Sequence, residues 1–121
     1  VGVYRGARDE IFQEWKQEIA AIAKCENVYA KLGGLAMPDN GFGWDKAERP
    51  PTSDEFVAAQ EKYYLHTSER CMFESNFPVD RLSISYPVLW NGLKKIASRC
   101  NASEKHALFY GTAEKVYRLH D

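Results

Sequence analysis

A chain of 121 residues with 45% apolar and 27% charged side chains has the composition of an ordinary globular domain, and that length suffices for one hydrophobic core. Sixteen basic against 17 acidic residues leave a net charge of −1, so the chain offers no positive field for nucleic acid or for an anionic membrane surface. No stretch approaches the roughly 20 apolar residues that span a bilayer, and none reads as a signal peptide.

In chain order, residues 8–25 (RDEIFQEWKQEIAAIAKC) predict an amphipathic helix. Ile11, Phe12, Trp15, Ile19, Ile22 and Ala23 share one face, and Gln13, Glu14, Lys16, Gln17 and Lys24 lie opposite. Residues 27–32 predict a short strand in which Val28, Ala30 and Leu32 alternate with Tyr29 and Lys31, stopped by Gly33-Gly34. A long Gly- and Pro-rich connection over 33–51 carries Met37, Phe42 and Trp44. A connection longer than about 15 residues without structure of its own is usually functional or disordered. Thr52-Ser53-Asp54-Glu55 is a capping box that opens a helix to about Arg70, with Phe56, Ala59, Tyr63 and Tyr64 inward. Residues 71–75, starting Cys71-Met72-Phe73, predict a second, buried strand. Ser85 caps a third helix over 86–98, with Pro87 in its first turn and Leu89, Leu93, Ile96 and Ala97 on its apolar face. A second capping box, Asn101 to Glu104, starts a short helix that Gly111 is expected to break, and Thr112 is expected to cap a last turn through Leu119. Strands alternating with helices argue for an α/β fold of parallel β/α units. Two strands are too few for a parallel sheet covered on both faces, so the chain reads as a piece of a larger α/β architecture. Its opening on Val1 rather than methionine agrees with processing or with a longer parent.

Few local motifs carry chemistry. Gly41-Phe42-Gly43 lacks the third glycine of a phosphate-binding loop and reads as a turn. His66, His106 and His120 have no metal-ligand spacing and read as surface or helix-end residues. Cys25, Cys71 and Cys100 are odd in number and widely spaced, as in a reduced, cytoplasmic protein. Asn101-Ala102-Ser103 is a glycosylation sequon, relevant only to a secreted chain. No Ser lies in a G-x-S-x-G frame. Two positions stay open. Lys31 is either a cavity-lining cation for an anionic group or an exposed strand-end charge. Glu74, Ser75 and Asn76 stand where parallel β/α folds bind ligands, or else Asn76 merely suits a turn and Asp80 caps a loop.

KLGGLAMP, GFGW, RPPTSDE, RCMFESNFPVD and GTAEKVYRL together resemble the C-terminal part of the amidohydrolase-related family, in the branch of metal-dependent hydrolases of the TIM-barrel fold that includes sugar-lactone and dicarboxylate-lactone hydrolases. The resemblance spans essentially all of 1–121 as one partial domain. It implies that 27–32 and 71–75 are late strands of a (β/α)8 barrel, a fold that takes about 250 residues when complete. It also implies a divalent metal, zinc or manganese, for the intact protein. The family's N-terminal His-x-His pair has no counterpart here, so no cofactor is expected in this chain alone. Its eighth strand usually ends in a Gly-Ser-Asp-Trp-Pro-like motif whose Asp touches the metal or the hydrolytic water. Asn76 of Glu74-Ser75-Asn76-Phe77-Pro78 takes that place, and an amide cannot act as a general base. Asp80, four residues on and past a proline, is expected to lie outside the site. The implied substrate is a small lactone, ester or amide, with Lys31, Phe42 and Trp44 lining the mouth. A cut barrel exposes strand edges and apolar faces, so the isolated chain is expected to be a homo-oligomer or a non-catalytic binding protein.

Overall fold

The computed structural model describes residues 6–65 and 69–119; His66 and His120 fall outside them. Its first element, α1 (Arg8–Ile22), has Asp9 and Glu10 in its first turn, where acidic side chains suit the helix dipole. It ends three residues before the expected Cys25, because the amides of Lys24 and Cys25 tighten onto the carbonyls of Ala21 and Ile22. The predicted apolar face is only partly used. Phe12 and Trp15 pack against Tyr63 with ring centroids 5.2 and 5.6 Å apart. No residue of α1 is buried, and Ile22 remains 49% exposed.

Two short strands form the sheet. β1 (Ala30–Leu32) pairs in parallel with β2 (Cys71–Phe73) in the register Ala30–Cys71, Lys31–Met72, Leu32–Phe73. Both are shorter than the apolar pattern suggests. The Val28 amide is spent on a turn to the Cys25 carbonyl, and pairing ends with the Glu74 amide donating to the Leu32 carbonyl at 3.2 Å. Alternation sorts the faces. Ala30, Leu32, Cys71 and Phe73 join the helix-covered core, and Lys31 and Met72 take the opposite side. Arg70 locks the entry to β2. Its guanidinium donates to the carbonyls of Cys25 and Val28 at 2.6 and 3.0 Å and to that of Ala23 at 2.5 Å, a cation on the carbonyls that end α1.

Between the strands, α2 (Ser53–Tyr64) opens with the expected capping box: the Thr52 hydroxyl accepts from the Glu55 amide, and the Glu55 carboxylate accepts from the Thr52 amide. It buries Phe56, Gln60, Tyr63 and Tyr64 and stops six residues before Arg70. α3 (Tyr86–Ala97) starts at Ser85 as expected and buries Leu89, Gly92, Leu93, Ile96 and Ala97. Gly92 sits where a Cβ would collide with the Phe56 ring, so α2 and α3 approach closely there. Lys95 to Asp54 and Arg99 to Glu61, both at 2.6 Å, edge the same contact.

The C-terminal segment corrects two expectations. α4 (Ala102–His106), with its capping box from Asn101 to Glu104, continues through a widened π turn (Ala107–Gly111) into α5 (Thr112–Tyr117). Gly111 keeps helical angles, φ −64°, and does not break the helix. The Thr112 hydroxyl caps nothing; it donates to the Glu69 carbonyl at 2.7 Å and pins the helix to the turn before β2. Phe109 of the π turn meets Phe73 edge-on at 5.0 Å. The result is a helix-rich α/β fold on one two-stranded parallel sheet, with Phe56, Ile84, Leu93 and Leu108 at its centre. Among the described residues no helix is long and apolar enough to cross a membrane.

Candidate functional site

In a parallel β-α-β unit the C-terminal ends of both strands and the N-terminal end of the intervening helix lie on one side. Lys31, Gly33 and Glu74 therefore share a face at the upper end of the sheet. Gly33 is needed for their approach: a Cβ there would collide with the Glu74 side chain and lie 2.7 Å from the Glu74 carbonyl oxygen. With that space left open, Glu74 lies across the end of β1 and pairs with the Lys31 ammonium at 2.7 Å. The hydrogen bond and charge of Glu74, with help from Tyr117, hold the Lys31 ammonium above its ordinary pKa. Lys31 is half-exposed and Glu74 less so, at 51% and 29%. Lys31 is thus a partly exposed strand-end cation held by Glu74.

Beyond β2 the chain does not run away from the strand end. It passes through a cis Phe77–Pro78 peptide into a single helical turn (Val79–Leu82). That turn brings Asp80 back to Asn76. The Asn76 amide donates to Asp80 Oδ2 at 2.9 Å, and the Asp80 amide donates to the Asn76 carbonyl at 3.1 Å. Asp80 is 1% exposed. Short-range hydrogen bonding across the turn thus brings Asp80 against Asn76 despite the four-residue separation. Burial pushes its carboxyl pKa up, Glu74 adds to the rise, and the Asn76 amide opposes it. Tyr64, on the inner face of α2, is buried beside this group. Desolvation first, then the charges of Asp80 and Glu74, drive its phenol well above the usual range.

The Asn76 side chain reaches the long connection, its Nδ2 standing 2.7 Å from the Met37 sulfur. That connection is folded. Asn40 Nδ2 donates to the Gly34 carbonyl at 2.7 Å, Gln60 Nε2 donates to the Leu35 carbonyl at 3.0 Å, and short helical turns occupy Pro38–Asn40 and Trp44–Lys46. Phe42 and Trp44 stack at 5.2 Å, Arg8 lies 4.1 Å over the Phe42 ring, and Trp44 leans on Phe56. The structure thus gathers Lys31, Glu74, Asn76, Asp80 and Met37 around the strand ends. Phe42 and Trp44 form an aromatic pair over the start of α2, on the same side of the unit. Glu74 was anticipated at the strand end, but its pairing with Lys31 and the approach of Met37 and Tyr64 were missed as a group. The one signal for them in the sequence is Gly33, since a glycine at a strand end marks close backbone approach as readily as a stop.

Polar side chains at the C-terminal ends of parallel strands stand where α/β folds bind ligands. The family model described as Amidohydrolase matches residues 1–119, and the chain belongs to that family. Over 108 residues it is 36% identical to the "Uncharacterized protein y4mH" of Sinorhizobium fredii (strain NBRC 101917 / NGR234), an alignment covering 89% of this chain and 34% of that protein. The chain therefore spans about a third of the length of the curated relative it matches. No solved structure matches it.

The family implies a divalent metal, and the donors among the described residues do not fit one. Among the described residues no group of three or more His, Cys, Asp or Glu side chains could hold a metal ion. Glu74 is paired with Lys31, one Asp80 oxygen is taken by the Asn76 amide, and His106, at the end of α4, meets Tyr110 edge-on at 5.4 Å. The described residues do not make a metal centre by themselves.

Proposed function

We propose that this chain is the C-terminal β/α portion of a (β/α)8 hydrolase barrel, and that the whole protein hydrolyses a small lactone, ester or amide. The observation that supports this is the parallel pairing of β1 and β2 across α2, whose C-terminal ends lie side by side. Family membership supports the hydrolase class. In this proposal Lys31 receives the anionic or carbonyl end of the substrate, displacing Glu74. Asn76 orients water or substrate by hydrogen bonding, because its amide cannot take a proton. Phe42 and Trp44 wall the mouth. A divalent metal, zinc or manganese, belongs to the rest of the barrel, and the isolated chain is catalytically inert.

The test is substitution in a complete family member carrying this segment, assayed on a panel of lactones and esters. Lys31→Met is expected to raise KM for anionic substrates at least 10-fold, and Asn76→Ala to lower kcat. Unchanged kinetics in both sinks the assignment of the rim. Metal analysis of the purified chain is the companion test: about one zinc or manganese per molecule would revive the reading of the isolated chain as an enzyme.

A second reading, a self-associating protein without catalysis, is favoured by one observation. Ile22, Val28, Leu82, Tyr86 and Leu119 are exposed by 38–66%, and the two-stranded sheet has outer edges that invite pairing. Light scattering is expected to show a dimer or larger species of the isolated chain; a monomer at micromolar concentration refutes self-association.

A further inference from the structure

We propose that Asp80 is a positioning residue for this rim: its ionised carboxylate clamps the main chain at Asn76, and the clamp slackens when the carboxylate takes up a proton. The proposal rests on the reading of Asn76 as a rim residue for its catalytic meaning, but the clamp itself stands on geometry. Asn76 and Asp80 exchange two hydrogen bonds, side chain to backbone and backbone to backbone, at 2.9 and 3.1 Å. The clamp is anchored from below. The Asp80 carbonyl accepts from both the Ser83 and Ile84 amides at 2.9 Å, which fixes the Asp80 main chain against the start of the α3 segment. Asn76 has its own second tether, through its side chain to Met37, so the connection over the strand ends is coupled to the same point.

One oxygen of the clamp is left over. Asp80 Oδ2 holds the Asn76 amide, and Asp80 Oδ1 is buried with no hydrogen-bond partner. An unpartnered, buried carboxylate oxygen is costly as an ion and is a natural place for a proton. The charged and titratable groups facing it make that worse. Glu74 at the end of β2 is negative, Tyr64 from α2 is a neutral phenol, and the cation on this rim, Lys31 of β1, is already engaged by Glu74. Protonation converts a charge-assisted hydrogen bond to the Asn76 amide into a neutral one, roughly half as strong. No bond to substrate or metal is involved; the device acts through the backbone of Asn76.

The test reads the chain as it stands, without turnover. Backbone amide spectra of isotopically labelled protein are followed with pH, together with the carboxyl carbon of Asp80. A carboxylate-bound amide proton lies downfield and moves upfield as its acceptor protonates. The Asn76 amide and the Asp80 carboxyl carbon are expected to titrate together, with a midpoint above the ordinary aspartate value of about 3.9. In Asp80→Asn the Asn76 titration is expected to vanish. Should that variant fail to fold, the wild-type titration alone decides. An Asn76 amide that stays still while Asp80 titrates, or one that follows Glu74 instead, overturns the clamp. Unchanged kinetics on Asn76→Ala in the complete protein would remove the site reading and leave the clamp intact, so the two failures are distinguishable.

Discussion

Gly33→Ala is the most direct probe of how the strand ends meet. Gly33 has no positive φ, so alanine fits the backbone conformation, and the loss of unfolded-state entropy alone would stabilise by about 0.4–1 kcal/mol. Space decides otherwise. The new Cβ would collide with Glu74 Cγ and lie 2.7 Å from the Glu74 carbonyl oxygen, whereas ordinary contact begins at 3.4 Å. A side-chain tip can swing aside; the Glu74 main chain is held, because its amide is bound to the Leu32 carbonyl at the end of the ladder. Overpacking of this kind costs about 1–3 kcal/mol, so the net effect is a loss of roughly 1–2 kcal/mol. At roughly 4 °C per kcal/mol for a domain of this size, the midpoint of thermal unfolding falls by about 4–8 °C. The assay is thermal unfolding by circular dichroism of wild type, Gly33→Ala, Glu74→Ala and the double variant. Truncating Glu74 removes the Cγ collision and leaves the carbonyl, so the double variant should recover part of the loss. A coupling of about 0.5 kcal/mol or more is expected for residues in such contact. A Gly33→Ala protein as stable as wild type would refute the close approach on which the Lys31–Glu74 geometry depends.

Three further outcomes follow from the same structure. Arg70→Ala removes three hydrogen bonds to the carbonyls after α1 and should destabilise by about 2–3 kcal/mol in urea titration; Arg70→Lys should recover little, because a single ammonium cannot span three carbonyls. Thr52→Ala loses a cap and should cost about 1 kcal/mol by the same measurement, with Thr52→Ser near neutral. The pH dependence of stability should carry two opposed contributions. Arg49 and the Thr52 amide lower the Glu55 pKa to about 2, so Glu55 stabilises fully above its unfolded value of about 4.3 and loses that contribution as pH falls toward 2. Asp80 is raised, so its contribution runs the other way and is lost as pH rises from the ordinary aspartate value through its folded value. Glu55→Gln should flatten the acid limb, and Asp80→Asn should remove the loss on the alkaline side of it. Slopes unchanged by either substitution would contradict these assignments.

What could be read from the sequence was local. Thr52 with Glu55, Asn101 with Glu104, and Ser85 before Pro87 are contained within four residues each, and each capped its helix as expected. The alternation of α and β elements correctly implied parallel pairing. What escaped was set by distant neighbours. The apolar stripe of α1 specifies which face would be buried, but only Phe12 and Trp15 find a partner, in Tyr63. Gly111 is a breaker by propensity, yet tertiary contacts through Thr112 and Phe109 keep its segment helical. Lys31 and Asn76 could be named as candidates by their place at strand ends. The return of Asp80 to Asn76 could not be read, since it depends on how the turn after Pro78 closes, and neither could Gly33 as a packing residue rather than a stop.

Arg70 also bears on the order of events in folding. Pairing Ala30 with Cys71 joins residues 41 apart in the chain. Closing such a loop costs about 3 kcal/mol of chain entropy in its length-dependent part. A three-residue ladder is a small return for that, whereas α2, α3 and the capped C-terminal helix form from contacts a few residues apart. The guanidinium joins Arg70 to Ala23, Cys25 and Val28 at the same closure, so ladder and side chain complete one long-range event together. The strand ends that carry Lys31 and Asn76 therefore depend on one long-range closure that none of the locally formed helices supplies.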